Sequence, residues 1–179
     1  MGIWTHTDCI VKVDCKNRID DFHEYFGKEL IYQVDSDDYR DKETWKIDWN
    51  RYNAASEKEH EINNKKWDEY DVHPELYLPM GSEGSLYLKS RLQTKVKNSY
   101  YPYRYKVEIY GGLRDHYSVE YVIECTRIGI AKLKHRHDCM LSADVNVRNY
   151  VDGIAKYSFE DRYFRDKDAY KIKEPYKGS

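Results

Sequence analysis

Apolar and polar residues alternate from Cys9 through Val11 and Val13, behind a stretch rich in β-branched and aromatic side chains, Ile3-Trp4-Thr5-His6-Thr7. A period of two marks a half-buried strand, so the chain opens on one. The period then changes: Ile19, Phe22, Phe26 and Leu30 recur at three- and four-residue steps behind Asn17, which stands where an N-cap would. That spacing predicts a helix, weakened but not ended by Gly27. From about Val34 to Val72 the pattern fades into a polar interlude holding three of the four tryptophans. Trp45, Ile47 and Trp49 alternate as a strand would, while Trp45, Trp49 and Tyr52 equally form a helical stripe, so periodicity leaves this insertion's structure open.

Strand-like alternation returns from Leu76 through LYLPMGSEGSLYLKSRLQ, turns at Lys97-Asn98-Ser99 and resumes over Tyr101 to Tyr110. Two such runs predict a hairpin, whose second strand is broken by Gly111-Gly112. Ser118 then caps a predicted helix, VEYVIECTRIGIAKL, with Val119, Val122, Ile123, Ile130 and Leu133 on its apolar side and Gly129 counting against it. A strand running from His137 to Val151, an Asp152-Gly153 turn and a returning strand over Ile154 to Phe159 follow. The expected fold class is α+β. The order is that of a ferredoxin-like β-α-β-β-α-β sandwich with an added C-terminal β-hairpin strand and a Trp-rich insertion. Residues 1–165 read as a single domain with its insertion at about 34–72, and 166–179 as a loosely held tail.

Composition narrows the function classes. The 179 residues carry 30 Lys and Arg against 32 Asp and Glu, a formal charge of −2, with no long block of one sign. Bulk nucleic-acid binding is therefore not expected, and neither is mimicry of DNA by an acidic surface. Cys9, Cys15, Cys125 and Cys139 lack C-x-x-C spacing, and no signal peptide or transmembrane run accompanies them, so reduced thiols in a cytoplasm and no membrane partner are expected. Nineteen Tyr against four Phe bring hydroxyls with most of the aromatic mass, which suits half-buried strands and binding surfaces.

Three short motifs stand out: Trp4-Thr5-His6, the stretch PMGSEGSL from Pro79 to Leu86, and Gly111-Gly112-Leu113-Arg114-Asp115. Together they resemble small proteins of bacteriophage and prophage genomes that share W-T-H, P-x-G-S-E-G-S-L and G-x-L-R-D. The resemblance spans the strand and helix skeleton but not the insertion or the tail, and the chain departs from it at Gly112, where an aspartate is implied. It implies a phage-type accessory protein of the host cytoplasm, a class in which binding and inhibition of host defence proteins are frequent. No catalytic residue carries over.

PMGSEGSL is not a Walker loop, because no lysine follows Gly84 and a strand, not a helix, comes next. What survives is a Gly-Ser turn offering the hydroxyls of Ser82 and Ser85 to a polar ligand, set against a packing bulge at Gly81 and Gly84 with Glu83 paired to a basic residue. Arg114, Asp115 and His116 sit at a strand end before a helix N-terminus, where an anion finds unpaired amides, or where Arg114 simply pairs with Glu83 or Asp115. His116-Tyr117-Ser118 has the H-x-S form of half a two-histidine phosphoesterase, but a second H-x-[ST] is lacking. His135, His137, Asp138 and Cys139 are metal-capable, though a solvated basic turn explains them better, and no metal or cofactor is called for.

Trp45, Trp49, Tyr52, Trp67 and Tyr70 form the remaining candidate, as a partner-binding set or as aromatics that dock the insertion. The leading expectation is a non-catalytic protein that inhibits a host antiviral defence protein, such as a CRISPR effector, by direct contact. The second is a sponge that sequesters a nucleotide immune signal through Ser82, Glu83, Ser85, Arg114, Asp115 and His116. The third is a nucleotide phosphodiesterase. The sequence leaves the oligomeric state open, a homo-oligomer included.

Overall fold

The computed structural model describes residues 2–30, 36–81, 84–115, 119–161 and 176–177. The chain divides into two compact units, one of Met1–Glu29 with Leu78–Ser179 and one of Leu30–Tyr77. The segment read from sequence as an insertion falls within the second. Among the described residues no helix is long and apolar enough to cross a membrane.

The first unit is an α+β body built on an antiparallel sheet. Strand β1 (Trp4–Cys15) lies between β3 (Tyr103–Arg114) and β4 (Cys139–Asn149). Outside these come β2 (Leu86–Lys95) on one side, and β5 (Gly153–Glu160) and the two-residue β6 (Tyr176–Lys177) on the other. The order is β2-β3-β1-β4-β5-β6 with every pair antiparallel. β6 is the described part of the expected loose tail, and it pairs with Ala155 and Lys156.

The alternation seen in sequence is the alternation of burial. Cys9, Val11 and Val13 are 0 % exposed, while Asp8 before them and Lys12 among them face solvent. Fully burying a valine contributes roughly 1.5–3 kcal/mol, so the inward face of β1 anchors the core. Val107 and Ile109 of β3, Val145 and Val147 of β4 and Phe159 of β5 extend that face. Against it pack Val119, Val122, Ile123, Ile130 and Leu133 of helix α3 (Val119–Arg136), the apolar side expected from their spacing. Lys134 of α3 bonds Asp161 at 2.6 Å in a largely buried pair, and the same carboxylate oxygen accepts from the Leu141 amide at 3.1 Å. This ties the end of the helix to the sheet.

Four expectations are corrected. The helix expected behind Asn17 shrinks to α1 (His23–Phe26), with Phe22 at its N-cap position. The Ile19 amide donates to the Tyr105 hydroxyl at 3.0 Å instead of joining a helix, and Gly27, at φ 118°, ends the element it was expected only to weaken. Ile19, Phe22, Phe26 and Leu30 are nevertheless all buried. The Gly111-Gly112 pair does not break β3, because β1 pairs with it as far as Arg114 and Leu86 of β2 pairs with Gly111. The β4 strand stops at Asn149, not Val151, since the Asn149 side chain accepts the amides of Val151 and Asp152 and closes a three-residue loop before Gly153. Finally, the strand expected to open at His137 begins only at Cys139. His135 lies in α3 and the His137 amide bonds Leu133 O at its end. Ser118, the expected cap, lies outside the described residues.

The second unit is a short turn region followed by a long helix. Asp41 accepts the amides of Glu43 and Thr44, and Trp45 adopts φ 60° in the turn. Asp48 then caps α2 (Trp49–Val72) by accepting the Arg51 amide at 3.2 Å. The helix has 24 residues, about 36 Å at 1.5 Å per residue, and none of them is buried.

Gly129, which sequence counts against α3, is required by packing: a methyl group there would collide with the Phe26 ring. Gly129→Ala is expected to destabilise the fold by about 1–2 kcal/mol in urea denaturation even though alanine is the better helix former, because overpacking outweighs propensity. The double variant with Phe26→Leu should recover part of that loss, and a Gly129→Ala protein as stable as the parent would contradict this packing.

Candidate functional site

The three sequence motifs meet at one end of the sheet. β-pairing places Trp4 opposite Arg114 and His6 opposite Gly112, and it brings Leu86, the last residue of PMGSEGSL, opposite Gly111. Gly84 has φ 79°, and a methyl group on it would collide with the Gly112 carbonyl oxygen and lie 3.1 Å from the Trp4 ring. One on Gly112 would sit 3.3 Å from both the Trp4 and His6 rings. The glycines thus let two backbones and an indole share a space that side chains would fill. Trp4 and His6, on the same face of β1, stack with centroids 6.3 Å apart and planes 19° apart.

The L-R-D residues close this end. Asp115, at φ 63°, accepts the Ile3 amide through Oδ1 at 2.7 Å, and its own amide donates to Ile3 O at 2.8 Å. The Arg114 guanidinium lies 3.3 Å from the same carboxylate. Ser85 is buried beside the Gly111 backbone, and its hydroxyl has no hydrogen-bond partner among the described residues. Of the expected ligand set, Ser85, Arg114 and Asp115 are therefore positioned at this end, whereas Ser82, Glu83 and His116 lie outside the described residues.

A cleft of about 910 Å³ opens beside the motifs, walled by Trp4, His6, Arg148, Tyr150 and Ile154. His6, Arg148 and Ile154 occupy one row across β1, β4 and β5. Tyr150, in the β4–β5 loop, is 100 % exposed. Aromatic and aliphatic walls with one guanidinium suit a flat ligand carrying a negative group. Sequence reasoning missed Arg148, Tyr150 and Ile154 because only strand register brings them to Trp4.

The opposite end of the sheet holds two of the four thiols and the His137 imidazole. Cys15 and Cys139 face each other across β1 and β4 as free, buried cysteines. The hydrogen bond between them draws the Cys15 thiol down and pushes Cys139 up, with burial opposing the first and adding to the second. His137 Nε2 is 2.5 Å from the Tyr25 hydroxyl, and burial lowers the imidazole from its ordinary value. Tyr100 and Tyr101 both donate to the Asp138 carboxylate, which lowers it. Among the described residues no group of three His, Cys, Asp or Glu side chains could hold a metal ion.

In the second unit Trp45 is 71 % exposed and Trp49 57 %, with Trp67 less so. Tyr52 and Tyr70 are half-buried, each in an edge-on contact with its neighbouring tryptophan, Trp49 and Trp67. No protein-family model matches the chain, and no curated protein does. No solved structure matches it either.

Gly84→Ala combines left-handed strain with the collision at Gly112, and is expected to cost about 2–4 kcal/mol and lower the melting temperature. Gly153→Ala is the control, since Gly153 shares the conformation at φ 77° but has open space around it. It should lose only about 1–2 kcal/mol. Equal losses at the two sites would show that the close approach at Gly84 contributes nothing.

Proposed function

We propose that the protein acts by binding, as a phage-type inhibitor that contacts a host antiviral defence protein, a CRISPR effector being the leading class, in the cytoplasm of the host cell. The observation that carries this reading is the exposure of Trp45 and Trp49 at 71 % and 57 %. Tryptophan is the residue most enriched at interface hot spots, and leaving two in water has no folding benefit. The motif resemblance supplies the biological class. We infer also that the sheet core is ferredoxin-like. Supporting this, β4-β1-β3-β2 are adjacent in that order, with helix-bearing connections between β1 and β2 and between β3 and β4.

A second reading, sequestration of a nucleotide immune signal, is favoured by the cleft beside the motifs, where the stacked Trp4 and His6 and the Arg148 guanidinium offer a base platform and a phosphate partner. Pull-down with the full chain from cells carrying CRISPR or other defence systems tests the first reading. A stoichiometric partner should be captured, and Trp45→Ala with Trp49→Ala should abolish capture while circular dichroism stays unchanged. Absence of any partner, or capture indifferent to both substitutions, would overturn it. Under the second reading, heat denaturation after incubation with cyclic oligonucleotides should release the ligand intact, and Arg148→Ala should prevent its uptake.

A further inference from the structure

Three cations stand side by side on the open face of the sheet. Arg91 of β2 is directly opposite Lys106 of β3, and Lys106 is directly opposite Lys12 of β1. Directly opposed residues of an antiparallel pair project to the same face about 4.5–5.5 Å apart, and like charges there repel. Lys89, two residues before Arg91, and Arg104, two before Lys106, project from the same face. Neighbouring carboxylates answer only part of this charge. Glu108 bonds Lys106 at 2.7 Å, and Asp14 lies 3.9 Å from Arg104. Lys12, Lys89 and Arg91 have no ion pair among the described residues. The Glu108 carboxyl is held below its ordinary range by Lys106 first and then by Lys89 and Arg91, so several cations converge on one acid.

The surroundings are shaped to receive something. A shallow cleft of about 160 Å³ lies against Lys89, Ser90, Arg91, Lys106 and Glu108, and a larger one of about 430 Å³ reaches Lys12 and Arg104 but is closed at its far side by the acidic Asp14, Glu160 and Asp161, so the cationic part of the face is the β2–β3 side. Four residues farther along the same strands, Tyr87 and Tyr110 are directly opposite each other, rings 5.8 Å apart and inclined by 34°. That is about 13 Å from the cation row at the rise of a strand. Tyr110 is 44 % exposed.

We propose that this open face binds single-stranded nucleic acid. Phosphodiester groups meet the Arg91, Lys106 and Lys12 row, flanked by Lys89 and Arg104, while bases stack on Tyr87 and Tyr110. Charge complementarity calls for a polyanion, and the aromatic platform on the same flat face calls for one whose planar groups are unstacked, which a duplex does not offer. An acidic peptide would satisfy the cations and leave the tyrosines unused. The formal charge of −2 conceals the site because its cations come from positions 12, 89, 91, 104 and 106 and meet only through strand pairing. This goes beyond the protein-binding reading and does not rest on it.

Fluorescence anisotropy of a labelled oligothymidine of about ten nucleotides, titrated with the full chain, tests the site. Saturable binding is expected, with a logarithmic salt slope of about −2 to −3.5 for three to five phosphate contacts. Lys12→Glu with Arg91→Glu should weaken binding by about tenfold or more, and Tyr110→Ala by about fivefold or more. Each of these side chains is exposed, so folding can be verified by circular dichroism. Lys132→Glu, on the outer side of α3, should leave affinity unchanged. No binding at low salt, or binding that survives the double reversal, overturns the proposal. A duplex bound as tightly as the single strand, with Tyr110→Ala without effect, overturns the single-strand assignment.

Discussion

The double pairing of β1 is the constraint on which the first unit depends. With β3 on one side and β4 on the other, β1 cannot shift without breaking two ladders at once. A slip of one residue would turn Cys9, Val11 and Val13 to water and drive Asp8, Lys12 and Asp14 into the core. Burying those charges without partners costs far more than the ladder could return. The period-two pattern therefore selects one register, and that register decides what stands next to what on the other face. Trp4 falls over Gly112, His6 beside Arg148 and Lys12 beside Lys106 as consequences of the same choice.

The tyrosines work around the edge of this core. Tyr105 receives the Ile19 amide, Tyr25 contacts His137, Tyr100 and Tyr101 converge on Asp138, and in the second unit the Tyr77 hydroxyl donates to Glu69. Each ring supplies apolar area while its hydroxyl satisfies a polar group that phenylalanine would leave stranded. Burial, reinforced by the neighbouring carboxylate, pushes Tyr77 and Tyr101 up to about 12. Those phenols consequently remain protonated donors throughout the neutral range, and the links they make do not switch with pH there. The surplus of Tyr over Phe is thus a means of ending a sheet and anchoring loops without a larger core.

Elements were legible in the sequence where one face had to be buried. β1, β3 and α3 announce themselves by period because their apolar positions share a side, whereas β2, expected from Leu76, begins only at Leu86 and buries just Leu86 and Leu88. α2 has no such stripe, so nothing in its spacing separates helix from strand, and Asp48 at its N-cap is the one local signal. α1 misled for the opposite reason. Its apolar residues are buried as their spacing implied, but the Tyr105 hydroxyl and the conformation of Gly27 leave only His23–Phe26 helical. Gly111 and Gly112 looked like a break because a single sequence does not show that β1 pairs with both and Leu86 of β2 with Gly111. The motifs were visible as strings, whereas their meeting at Trp4, and the cleft walled by Arg148, Tyr150 and Ile154, required the register.

The same division separates what the first unit can change from what it cannot. Inward positions of β1 and β3 are coupled through the core, so a substitution at Val11 or Val107 is felt by α3 and β4 together. Outward positions touch only neighbours on the same face, and Lys12, Lys106 and Arg91 repel one another, offset in part by the bond from Lys106 to Glu108. Neutralising them would ease that repulsion, so stability alone gives no reason for the row, whereas affinity for an anion does. Trp4 is the exception on that face, since it rests on Gly112 and closes against Gly84. At that end the sheet's exposed face and its structural closure are the same atoms, and a ligand in the adjoining cleft would be felt by the strand ends that the motifs hold.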